Sequence, residues 1–220
     1  MVELRRGLDP DRIRANLAGV RERIAAAAEQ AGRDPAAVEI CVATKYVALE
    51  EMGVLAQAGI TLVGENRVQD LQAKAAAWPD DFAWDFIGHL QSRKVKTVVP
   101  LVRLIHSVAS DSVLAQLKRH APAQTEVLVE VNIAGEENKS GVAPEALAAF
   151  IDRCPVDVAG LMTMPPLSDD PESSRPYFTA LRHLAEQNGV RRLSMGTTQD
   201  FEVAVQEGAT IVRIGTILFS

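Results

Sequence analysis

The chain has 220 residues, of which 47% are hydrophobic, 24% charged and 5% aromatic, and its net charge is −6. Fourteen glycines and eleven prolines exclude collagen-like and low-complexity architectures, and the apolar content excludes a disordered chain. The acidic balance argues against nucleic acid as a main partner, and Cys41 and Cys154 alone form neither a disulfide framework nor a metal-ligand spacing.

Residues 1–8 contain Glu3, Arg5 and Arg6 and lack the apolar core of a secretory leader. No run approaches the roughly 18 apolar residues of a membrane span. The expectation is a reduced, soluble, cytoplasmic protein. Residues 9–31 predict an amphipathic helix, because Ile13, Leu17, Val20 and Ile24 recur at three- and four-residue steps and Gly32 supplies a stop. Apolar runs at 38–44, 61–63, 82–88, 101–108, 126–131, 157–164, 192–196 and 210–215 then predict eight strands. Helical patterns at 49–58, 66–77, 110–120, 144–154, 171–188 and 199–207 separate most of them. Such alternation implies parallel pairing through crossover helices, and eight βα units favour a closed (β/α)8 barrel of the TIM type over an open sheet. Residues 1–220 read as a single domain. No helix follows the eighth run, so the helix at 9–31 is expected to cover the gap.

In such a barrel, chemistry gathers where strands end and βα loops begin. That position holds Lys45, Asn66, His89, Ser107, Asn132, Met164, residues 194–198 and Gly215-Thr216. Alternation puts Cys41, Ala43 and Lys45 on one face. Apolar surroundings are a poor home for an unpaired ammonium, and a lysine that sheds its proton readily attacks carbonyls. The alternative is a lysine that snorkels to solvent or pairs with a structural carboxylate.

The seventh and eighth strand ends read Leu193-Ser-Met-Gly-Thr-Thr198 and Ile211-Val-Arg-Ile-Gly-Thr216. Gly196 and Gly215 permit close backbone approach to an anion, and Ser194, Thr197, Thr198 and Thr216 add hydroxyls. A helix beginning near Gln199 would aim its positive end at the same spot, which is the usual phosphate site of a barrel. Arg213 shares parity with Gly215 and therefore faces inward. A buried guanidinium there needs a ligand's phosphate or ring nitrogen, or a structural carboxylate such as Glu130. Other signals are weak. Gly135-Glu-Glu-Asn-Lys-Ser140 lacks P-loop spacing, and no G-x-G-x-x-G occurs. The four histidines show no metal spacing, and His106-Ser107 has no nucleophile elbow.

A strand-end lysine opposite a phosphate site suits a phosphorylated aldehyde, a description that pyridoxal phosphate matches. The motifs Val42-Ala-Thr-Lys45, Gly64-Glu-Asn-Arg-Val-Gln-Asp70 and Phe86-Ile-Gly-His-Leu-Gln-Ser-Arg-Lys94 occur in order. They continue with His106-Ser107, Val131-Asn-Ile-Ala-Gly-Glu-Glu-Asn-Lys-Ser-Gly141 and Gly160-Leu-Met-Thr-Met164, then Leu193-Ser-Met-Gly196 and Val212-Arg-Ile-Gly-Thr216. In this order and spacing, from about Ile13 to Phe219, the chain resembles the pyridoxal phosphate homeostasis proteins. The resemblance implies a barrel like the N-terminal domain of alanine racemase, with pyridoxal phosphate held as a Schiff base on Lys45. It implies a cofactor-binding set of Lys45, Asn66, Ser194, Gly196, Arg213, Gly215 and Thr216, with Asn66 beside the cofactor and Ser194, Gly215 and Thr216 at its phosphate. Arg213 matches a racemase pattern in which the arginine meets the pyridine nitrogen, disfavours its protonation and so limits carbanion chemistry. Tyr46-Val47, Thr197-Thr198 and the end at Ser220 depart from the family pattern, and none removes an implied ligand.

A racemase needs acid/base groups on both faces of the substrate carbon. Lys45 would serve one. Alanine racemase takes the other, a tyrosine, from a second domain and the partner subunit, whereas this chain holds only Tyr46 and Tyr177. The expectation is therefore a carrier that stores, buffers or passes on pyridoxal phosphate without robust catalysis. Pyridoxal phosphate-dependent apoenzymes are the candidate recipients, monomer is the default state, and no metal or membrane partner is expected. A pyridoxal phosphate-dependent amino-acid racemase and a lysine aldolase acting on a phosphosugar are the alternatives.

Overall fold

Asp9 opens the first helix, accepting the Asp11 N–H at 2.9 Å, and Pro10 takes the first turn, where its missing N–H costs nothing. The computed structural model describes residues 4–137 and 139–220. In it α1 spans Pro10–Gln30 and buries Ile13, Leu17, Val20, Ile24, Ala27 and Ala28 along one stripe. Each of the larger side chains contributes about 1.5–3 kcal/mol as an upper estimate.

Eight strands follow: β1 (Glu39–Ala43), β2 (Leu62–Glu65), β3 (Ala83–Phe86), β4 (Leu104–Val108), β5 (Glu126–Glu130), β6 (Asp157–Met162), β7 (Arg192–Thr197) and β8 (Ile211–Ile214). All neighbours pair in parallel in sequence order, and β8 returns to β1 with Cys41 opposite Arg213, closing the barrel. Between them run α2 (Met52–Gln57), α3 (Val68–Ala77), α4 (Val95–Val98), α5 (Asp111–His120), α6 (Leu147–Asp152), α7 (Arg175–Gln187) and α8 (Phe201–Gln206). After β8 comes only a short helical turn, Thr216–Phe219. As expected, α1 lies where an eighth outer helix would pack: Arg23 forks onto Glu202 of α8 at 2.8 and 2.9 Å, and Asn16 donates to the carbonyls of Leu218 and Ser220.

One segment differs from the sequence expectation. Residues 92–101 form a run of helical turns, Ser92–Lys94, Val95–Val98 and Val99–Leu101, and the fourth strand begins at Leu104. Val95, Thr97, Val98 and Val99 are weak helix formers and Pro100 breaks the pattern, so local propensity gives no helix signal. Burial of Val95, Val98 and Val99 against the barrel overrides it.

Strand parity sorts the side chains. Cys41, Leu104, Leu128, Met162 and Ile211 fill the barrel interior, while Val42, Val63, Ile105, Val127, Leu161, Val212 and Ile214 pack outward under the helices. Among the described residues no helix is long and apolar enough to cross a membrane.

Candidate functional site

The strands deliver their ends to a cavity of about 550 Å³ at the mouth of the barrel. Lys45 enters it just after β1, Asn66 directly after β2, and Ile87, Gly88 and His89 after β3. Opposite them stand Thr197 and Thr198 from β7, Arg213 from β8, and Gly215 and Thr216 beyond it. Gly88 is required by the packing: a Cβ there would come within 2.1 Å of the Asn66 carbonyl oxygen, so only glycine lets the ends of β2 and β3 cross this closely.

Lys45 is half-buried, with its Nζ 4.8 Å from the centroid of the Tyr46 ring. No carboxylate of the described residues pairs with it, so the structural ion pair considered from sequence is not formed. Its neighbour Thr44 anchors the strand end. The Thr44 hydroxyl donates to Glu65 Oε1 at 2.7 Å, and the Lys74 ammonium donates to both that carboxylate and the Thr44 carbonyl, the latter at 2.8 Å. Glu65 and Lys74 are both buried, so each requires the other. The loop that carries Lys45 is thereby held from behind.

Arg213 faces inward, as its parity requires, and is buried. It donates to the Ser194 hydroxyl and to the Thr163 carbonyl at 3.0 Å, with the Met164 sulfur alongside. Glu130, the structural carboxylate considered for it, instead accepts from the Ser140 hydroxyl at 2.8 Å. Among the described residues the guanidinium therefore lies against the cavity without a counter-ion, and burial lowers its pKa. Burial also raises the Glu130 carboxyl above the usual carboxylate range, despite the hydrogen bond from Ser140.

Below Arg213 a polar chain descends the barrel axis. The Ser194 hydroxyl donates to His106 Nδ1 at 2.9 Å, and His106 Nε2–H donates to Asp85 at 3.1 Å. A cation at the top and a carboxylate at the bottom fix the direction, so a neutral imidazole with its proton on Nε2 satisfies every partner. Burial lowers the His106 pKa, in agreement with that neutral form. Burial alone would raise Asp85, but hydrogen bonds from His106 and Arg103 outweigh it and hold the carboxyl below its ordinary range.

Two expected site residues lie elsewhere. Ser194 is fully buried beneath the cavity with its hydroxyl committed to Arg213 and His106, so it is not at the rim as a phosphate donor. Gly196 does not line the cavity either. It adopts φ +89, and a Cβ there would lie 2.5 Å from Ala204 Cβ, so it serves the packing of α8. The cause of both is an irregularity in β7. Ser194 pairs with Ile211 but Thr197 with Arg213, three residues against two, and this bulge sets which β7 side chains reach the mouth. Sequence reading also missed Ile87, Glu130 and Arg5 as lining residues. Arg5 arrives from the segment before α1, its N–H on the Tyr46 carbonyl at 2.6 Å and its guanidinium on the Phe219 carbonyl at 2.9 Å. No local motif marks such a contact.

Residues 8–220 match the family described as alanine racemase, N-terminal domain. A pyridoxal phosphate homeostasis protein of Aquifex aeolicus (strain VF5) is 43% identical over 217 residues, covering 92% of this chain and 95% of that protein. The chain belongs to the pyridoxal phosphate homeostasis protein family. A Pseudomonas aeruginosa protein of the same name is 37% identical and covers 94% of each chain. Among solved structures, PipY of Synechococcus elongatus PCC7942 with PLP bound superposes with a TM-score of 0.79 at 29% identity, covering 94% of this chain and 100% of that one. In this member of the homeostasis family, Lys45, Asn66, Arg213, Gly215 and Thr216 share one cavity, Ser194 supports it from below, and Gly196 shapes the loop beside it.

Proposed function

We propose that this chain binds pyridoxal phosphate at the barrel mouth, covalently through the Lys45 ε-amine, and serves pyridoxal phosphate homeostasis as a carrier without robust catalysis of its own. The observation that carries the reading is a half-buried lysine with no carboxylate partner among the described residues, opening on the same cavity as an amide oxygen that lacks its hydrogen bond. That atom, Asn66 Oδ1, is buried and unpartnered, as expected of a group built to meet a ligand. The cavity volume suits a molecule of this size. Across the mouth, the Thr198 hydroxyl, which accepts the Gly215 N–H at 3.3 Å, and the Gly215–Thr216 turn form a polar cradle for a phosphate. On this reading Thr198 takes the phosphate place that the family resemblance implied for Ser194.

When bound, pyridoxal phosphate supplies an aldehyde that captures amines and a ring that withdraws electrons. The chain's own residues restrain the second property. A guanidinium donates hydrogen bonds and accepts none, so Arg213 is suited to hold a ring nitrogen unprotonated. Tyr46 is the one tyrosine lining the cavity, and its ring lies against Lys45, so it does not supply an acid/base group on the opposite face. The carrier reading extends to delivery to apoenzymes, for which the open mouth is the route.

Addition of pyridoxal phosphate followed by borohydride reduction and peptide mapping is expected to place a single phosphopyridoxyl group on Lys45, and Lys45→Ala to abolish the visible band. A label scattered over surface lysines would overturn the reading and favour the phosphosugar aldolase. Loss of an amino acid's α-proton into deuterated solvent at enzyme-like rates would replace the carrier with an enzyme.

A further inference from the structure

Beside the mouth, on the outer side of Asn66 and His89, lies a second cleft of about 580 Å³. Arg67 enters it from the residue before α3, and Arg93 and Lys94 enter from the helical turn Ser92–Lys94. These side chains come from two separate loops, and no acidic residue among the described ones lines the cleft. Among the described residues none of the three forms an ion pair. Arg93 donates only to the Gln91 side-chain oxygen, at 3.1 and 3.3 Å. Elsewhere Arg103, Arg175, Arg182 and Arg192 each reach a carboxylate. Like charges gathered in one cleft of a chain with net charge −6 repel one another and are stabilised when an anion enters. Val68 and Gln69, the first residues of the ten-residue α3, also line the cleft, and Arg67 at the helix cap gives the free N–H groups no side-chain acceptor.

We propose that this cleft binds a small multivalent oxyanion, a phosphate ester or polycarboxylate, at a site separate from the mouth. Three cationic groups and amide donors from Gln69 and Gln91 match the several acceptor oxygens of such a ligand, which a single carboxylate would leave unused. Asn66 and His89 form the wall common to the two cavities. The proposed site therefore borders the mouth without sharing its cationic groups.

The test uses the full chain with ¹⁵N label, titrated with pyrophosphate and separately with citrate, against chloride at matched ionic strength. Backbone amide shifts at Val68, Gln69 and Arg93 that saturate are expected with both probes. The double variant Arg93→Ser, Lys94→Met is expected to weaken them by about tenfold or more. Lys96→Ala, an exposed lysine outside the cleft, is expected to leave them unchanged. Saturation with only one of the probes would assign the ligand to phosphate esters or to polycarboxylates. Shifts confined to Gly215 and Thr216, or shifts that chloride reproduces, would overturn the proposal. Because the readout is residue-resolved, it stands or falls independently of whether Lys45 carries a cofactor.

Discussion

The two ends of the barrel treat charge in opposite ways. At the bottom, where strands begin, Arg103 bridges Asp85 and Glu39, and Arg192 bridges Glu39 and Glu126, so cations and carboxylates alternate across the opening. At the mouth, Lys45 and Arg213 have no carboxylate partner among the described residues, Glu130 is pushed toward its neutral form, and Asn66 Oδ1 has no hydrogen bond there. One end has its polar groups satisfied by the protein itself, and the other holds them open for something else. Mutual pairing marks the first as structural, and unsatisfied groups mark the second as the candidate functional site.

The comparison breaks most severely at Asp85. Asp85→Leu removes the carboxylate shared by Arg103 and His106 and strands buried donors. Loss of about 3–5 kcal/mol is expected in urea unfolding, and a loss below 1 kcal/mol would mean that the bottom network contributes little. A smaller effect follows from His106. Its folded-state pKa is depressed, so the unfolded chain takes up a proton first as pH falls below its ordinary value of about 6.5. Stability is complete above that pH and declines below it, by about 1.4 kcal/mol per pH unit for one proton. Asp85, also depressed, adds its own loss only below about pH 4. Unfolding curves between pH 7 and 5 should show the first slope in the parent chain and not in His106→Asn, and an unchanged slope in the variant would assign it elsewhere. The smallest effect belongs to the mouth. Lys45→Ala removes a group with no structural partner, and its unfolding free energy should stay within about 0.5 kcal/mol of the parent. A larger loss would give Lys45 a structural role that the geometry does not show.

The eight strands and their order were legible because parallel strands in a barrel are buried on both sides and read as short β-branched runs, such as Leu104–Val108 and Glu126–Glu130. Lys45 and Arg213 were legible for a related reason, since polar groups at the end of an apolar run have few structural uses. The position of Ser194 below the cavity was not legible, because nothing in Leu193-Ser-Met-Gly announces that β7 bulges there. Arg5 was invisible because its position depends on contacts with Tyr46 and Phe219, far away in sequence. The helical turns at 92–101 were invisible because tertiary burial, not propensity, forms them.

The closure of the barrel has a consequence for synthesis. β1 pairs with β8, and α1 packs against α8 and the turn beyond β8, so the first elements to leave the ribosome wait for the last. Until residues 211–214 emerge, β1 exposes an unpaired edge and α1 an apolar stripe with part of its seat missing. Such long-range pairing is slow to form and leaves the nascent chain open to aggregation. The nascent barrel, rather than the finished one, is therefore the state most open to aggregation.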